Sequence, residues 1–158
     1  GFSLVECLVA GVILSTGVMG VLGLQLAALK SSQENDHLLQ AQFLASDMVE
    51  RLTANTRAIT RGGYSLDGKP LKPDKDCNAV PCSFLETAFF DLYEWYESVE
   101  RLLPSGAAVI EHVKLEQSDL YTILIRWKSV ERNSYGIPYD MSHCGRGGID
   151  CYRVVIYL

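Results

Sequence analysis

The sequence predicts an α+β protein, one long N-terminal helix packed on a small antiparallel sheet. Three observations predict it. The first 29 residues carry a single charged side chain, Glu6, in a run that is otherwise apolar, small or neutral. No proline occurs before Pro70, and apolar residues recur at spacings of three and four beyond that run. Towards the C-terminus, apolar and polar residues alternate with a period of two, as half-buried strands do.

The apolar run is long enough to cross a bilayer as a helix, which takes ~20 residues. The first Lys or Arg is Lys30. A secretory signal peptide fits poorly, because it needs a positive n-region before an apolar core of ~7–15 residues. A plain signal anchor accounts for the length but not for Glu6. An acid within an apolar span is costly and marks a functional position, though the cost falls near the interface. Glu6 is therefore the residue to explain, and an interfacial acid without a role is the bland alternative.

Residues 2 to about 57 are expected to form one helix. Leu38, Ala41, Ala45, Met48 and Leu52 make its buried stripe, while Gln33, Glu34, Asp36, Gln40, Asp47, Glu50 and Arg51 face away. This divides the chain into an apolar half at 1–29, facing lipid or other helices, and a globular head at 30–158. Gly17, Gly20 and Gly23 lie inside the helix, each costing ~1 kcal/mol against alanine. They suit close helix packing or a stretch that extends on leaving lipid.

Gly62, Gly63, Gly68, Pro70, Pro73 and Pro81 mark residues 60 to about 82 as loop. Ser83 with Glu86 three residues on signals a capping box. The helix it opens has the stripe Leu85, Ala88, Phe89, Leu92, Trp95, Val99 and Leu102, and ends at Pro104 and Gly106. Strands are expected at 107–116, around Tyr121, Ile123, Ile125 and Trp127, and around Tyr152, Val154, Ile156 and Leu158. A loop at 131–151 joins the last two.

The formal charge of −5, with scattered Lys and Arg, argues against nucleic acid, which needs a basic face. Of the five cysteines, Cys7 lies in the apolar run, and the others form two local couples. On an exported head these would oxidise. Four cysteines allow three connectivities. Short loops with Pro81 in one and Gly145, Gly147 and Gly148 in the other favour Cys77–Cys82 and Cys144–Cys151.

No catalytic residue, cofactor or metal is expected. His143 beside Cys144 is a sequence neighbour, not a demonstrated nucleophile–base pair. The cysteine spacings are looser than usual zinc couples. Asp74, Asp76 and Asn78 imitate the start of a calcium loop, but Ala79 and Leu85 stand where Gly and Glu are needed. Phe89, Phe90, Tyr93, Trp95 and Tyr96 could line a carbohydrate groove, although their spacing suits core packing better.

Gly1-Phe2-Ser3-Leu4-Val5-Glu6 resembles the processing junction of type IV pilins and type II secretion pseudopilins. The run Leu44-Ala45-Ser46-Asp47-Met48-Val49-Glu50-Arg51-Leu52-Thr53-Ala54-Asn55 is similar to the end of the first helix in PilV-like minor pilins. The acidic Trp95 helix, the Leu103–Gly106 turn and the Ile125-Arg126-Trp127 strand also resemble that family. The resemblance implies cleavage between Gly1 and Phe2 by prepilin peptidase, N-methylation of Phe2, and Glu6 as the assembly acid. It implies a non-enzymatic minor pilin, held in the inner membrane with its head in the periplasm and then entering an extracellular pilus. There it would help prime assembly at the tip. Implied partners are other minor pilins, the major pilin and a large tip adhesin. The alternatives are a type II secretion minor pseudopilin and a membrane-tethered adhesin.

Overall fold

A computed structural model describes residues 1, 3–129, 144 and 148–158. Two compact units result, Gly1–Asp36 and His37–Leu158, and the boundary falls inside the first helix. That helix, α1, spans Leu4–Ala54. It stops short of the expected residue 57, because Asn55 leaves helical geometry at φ −120°, ψ 60° and a separate turn, α2, follows at Thr56–Ile59. Gly62, at φ +66°, takes a backbone that other residues resist, and reverses the chain.

In the second unit, Ala41, Leu44, Ala45, Met48 and Leu52 of α1 are buried. Leu44 joins the stripe, whereas Leu38, expected in it, is exposed a turn before the core begins. The loop after Gly63 holds a strand the sequence did not suggest, β1, at Leu66–Asp67. Two residues are too few to show alternation.

Helix α3, Phe84–Leu102, opens on the expected cap: Ser83 accepts from the Glu86 N–H while the Glu86 carboxylate accepts from the Ser83 N–H. Its buried face is Ala88, Leu92, Trp95, Tyr96 and Val99. Leu85, Phe89 and Leu102, expected in that stripe, are exposed. Leu85 and Leu102 lie in the first and last turns, and Phe89 on the stripe's edge. Trp95 Nε1 donates to the Leu44 carbonyl at 2.8 Å, which fixes α3 on α1. Gly106 closes the turn after α3. A Cβ there would come within 2.3 Å of the Val99 carbonyl oxygen, so the turn admits glycine alone.

Strands β2 (Ala107–Lys114), β3 (Asp119–Lys128) and β4 (Ile149–Tyr157) join β1 in an antiparallel sheet ordered β1-β2-β3-β4. Tyr121, Ile123, Ile125 and Trp127 are buried and alternate with half-buried neighbours, as their spacing predicts. At the far end of the β2–β3 hairpin, the His112 ring stacks on Tyr121 and its Nε2 stands 2.6 Å from Asp119 Oδ1. β4 begins at Ile149, inside the stretch expected to be loop. The rest of the expected 131–151 loop, His143 included, lies outside the described residues apart from Cys144 and Gly148. The architecture is α+β, with the α1 stripe and α3 covering one face of the sheet.

Candidate functional site: an exposed apolar helix with one acid

In the first unit, α1 carries fourteen large apolar side chains from Leu4 to Leu29, and each is more than half exposed. A water-soluble surface rarely leaves so large an apolar area uncovered. By length and composition this helix can cross a membrane. Two hydroxyls in the apolar run are satisfied locally: Ser15 Oγ donates to the Val12 carbonyl and Thr16 Oγ1 to the Ile13 carbonyl, each at 2.9 Å. Such local bonds let polar side chains sit in an apolar setting. At Gly11, Gly17, Gly20 and Gly23 a Cβ would meet nothing within 4 Å beyond the local helix backbone and adjacent residues.

Glu6 sits in the first turn. Its Oε2 accepts from the Ser3 N–H at 3.1 Å, and the Glu6 N–H donates to the Ser3 carbonyl at 3.0 Å. A carboxylate here satisfies an otherwise unpaired amide and opposes the positive helix end. Sequence reasoning took Glu6 as an assembly acid and overlooked this local role. Ser3-Leu4-Val5-Glu6 spells a serine–glutamate cap before an apolar run, so the signal was present. Gly1 is exposed, whereas Phe2, the expected methylated terminus, lies outside the described residues.

The head places its cysteines in two bridges. Cys77 bonds Cys82, Cys144 bonds Cys151, and Cys7 is a free, exposed thiol. Asp74, Asp76 and Asn78 are not gathered round a cation site. Asp76 Oδ1 instead accepts from the Asn78 N–H at 2.9 Å. Among the described residues no group of three His, Cys, Asp or Glu is arranged to hold a metal. Of the aromatic residues on α3, Trp95 and Tyr96 are core. Phe90 and Tyr93 line an open groove with Arg51, Asp76, Glu94 and Glu97.

Sequence reasoning missed a polar joint between α1, α3 and the turn after α2. Arg51 bridges Asp47 at 3.2 Å and Asp91 at 3.1 Å, with Glu94 at 3.5 Å. Burial works against the Arg51 charge, but these carboxylates outweigh it and raise its pKa. The Tyr64 hydroxyl joins the same cluster and also meets Asn55 Nδ2 at 3.3 Å. Asn55 Nδ2 donates to the Phe84 carbonyl at 2.8 Å as well. This joint gives Asp47, Arg51 and Asn55, part of the run resembling minor pilins, a structural reason.

Residues 23–93 match the family model described as Tt1218-like, type IV pilin Tt1218. The match covers less than half of the chain, running from inside the apolar half of α1 into α3, and supports a type IV pilin. No curated protein matches, and no solved structure does.

Proposed function

We propose that this chain is a non-enzymatic minor pilin that enters a type IV pilus and helps to start its assembly. The exposed apolar half of α1, closed at its start by one acid, carries the reading. The pilin family match, which begins inside that half, supports it. Before assembly the apolar half lies in the membrane. In the fibre it packs against the helices of other pilins, where Gly17, Gly20 and Gly23 allow close approach. Processing after Gly1 frees the Phe2 amine. Glu6 lies four residues, or ~6 Å along a helix, from that terminus. An unpaired carboxylate in an apolar setting costs several kcal/mol. The amine of Phe2, on this subunit or a neighbour, is the fitting partner, and this couples processing to assembly.

Quantitative mass spectrometry of sheared pili from cells carrying wild-type or Glu6→Ala chains tests the proposal. The wild-type subunit is expected at a small fraction of the principal subunit's level. The variant should be expressed and cleaved, form its disulfides, and yet be depleted from fibres. Glu6→Asp should fall between, because its carboxylate reaches less far. Wild-type incorporation of Glu6→Ala would refute the assembly role. A copy number near that of the principal subunit would refute the minor-pilin role.

A further inference from the structure

Among the described residues β4 is the last strand of the sheet, and it pairs with β3 along its whole length. The phase of that ladder follows from its ends. Asp119 and Leu158 exchange bonds in both directions, at 2.9 and 3.0 Å, and the Ser129 N–H donates to the Gly148 carbonyl at 2.7 Å. In an antiparallel ladder such pairs alternate with pairs whose backbone groups turn away. Tyr152, Val154 and Ile156 therefore bond to β3. The N–H and C=O groups of Arg153, Val155 and Tyr157 point to the outer edge. Among the described residues no strand pairs with that edge.

The two edges of the sheet differ. On the β2 side, β1 pairs with Val109 and Ile110, and the stretch beyond them includes Glu111, His112 and Lys114. Charges and short strands are how sheets discourage edge pairing. β4 carries two charges, Asp150 near its start and Arg153, and neither Pro nor Lys. Burial falls off in the same direction. Tyr121, Ile123 and Ile125 of β3 are fully buried, but their β4 neighbours Tyr152, Val154 and Ile156 are half-buried on the same core. On the other face Val155 and Tyr157 are exposed, Tyr157 at 70 %. A helix laid along this edge would cover side chains and leave the amides unpaired. An extended strand meets both needs.

We infer that the outer edge of β4 is a strand-addition site for an extended segment of a partner protein, apolar at alternate positions. The backbone row supplies the bonds, and the half-covered Tyr152, Val154 and Ile156 side chains select the pattern. A second copy is not the occupant. Antiparallel pairing of two β4 edges needs a two-fold axis normal to the sheet. That axis reverses the α1 residues packed on the sheet, whereas the fibre reading, on which this exclusion rests, needs parallel helices.

The test uses the full chain in detergent micelles and a synthetic peptide of residues 119–128, the strand that pairs with β4 from its other side. Saturable binding below about 1 mM is expected. Amide exchange should slow at Arg153, Val155 and Tyr157 and stay unchanged at Val154. Val155→Pro removes an N–H that β3 does not use, a change edge strands tolerate. It should leave thermal unfolding near wild type and weaken the peptide about ten-fold or more, since it removes a paired donor. Tyr157→Lys, at an exposed position, should weaken it in the same direction. Absence of saturable binding, protection elsewhere, wild-type affinity in both variants, or dimerisation of the chain through β4 would each overturn the inference. A failed peptide assay beside a successful Glu6 assay would remove this site and leave the pilin reading standing.

Discussion

The Tyr64 hydroxyl donates to Asp91 Oδ2 at 2.6 Å, from a ring with no exposed surface. It also lies 3.2 Å from the Arg51 carbonyl oxygen. One phenol thus ties the turn after α2 to both long helices. Burial and the Asp91 bond both push its pKa upward, so it is neutral throughout the physiological range.

Tyr64→Phe keeps the ring and removes the link. Asp91 then loses a donor in a half-buried setting, which costs about 1–3 kcal/mol. Chemical denaturation of the full chain in detergent should show that loss with secondary structure unchanged. A change within error would mean that water replaces the phenol at no cost.

Alkali should unfold the head for a related reason. The Tyr121 hydroxyl donates to the Ile59 carbonyl at 2.9 Å. Burial, with the Asp119 charge adding, pushes its pKa from 10.0 up to about 12. Below pH 10 the phenol is neutral in both states, and its contribution to stability is fully present. Above pH 10 the unfolded chain gives up the proton while the folded one holds it, so stability falls until the folded group also ionises near 12. Tyr64 acts with the same sign. Stability measured from pH 8 to 12 should drop along this course, and Tyr121→Phe should flatten it. An unchanged pH profile in that variant would place the alkaline weakness elsewhere.

Non-reducing peptide mapping should recover Cys77 with Cys82 and Cys144 with Cys151, leaving Cys7 free. A peptide joining Cys77 to Cys144 would overturn that pairing. Reduction should loosen the head without abolishing its fold. Each bridge closes a short loop, worth about 2 kcal/mol by chain entropy, and the core of α1, α3 and β3 contains neither bridge.

Strong local signals were legible. The Ser83–Glu86 cap, the alternation at Tyr121–Trp127 and the apolar run each depend on residues close in sequence, and each appears where it was expected. The break at Asn55 was not legible. That side chain is held by Phe84 and Tyr64, 29 and 9 residues away. β1 escaped notice for a similar reason, since its two residues become a strand only by pairing with β2. On α3 the period was right but the width was not. Periodicity orders a face, and the neighbour's extent decides how many of its turns are covered.

The sequence by itself determined that one half of α1 is apolar, that Glu6 is its only charge, and that a helix and several strands follow. These are properties of spacing and composition, readable without neighbours. Tertiary structure alone decided that Arg51, Asp91 and Tyr64 meet, and that β4 pairs with β3 in the register that sets Val155 opposite Thr122. A residue's partners across the fold depend on register and packing angle. Those are settled only when distant segments compete to cover the same core.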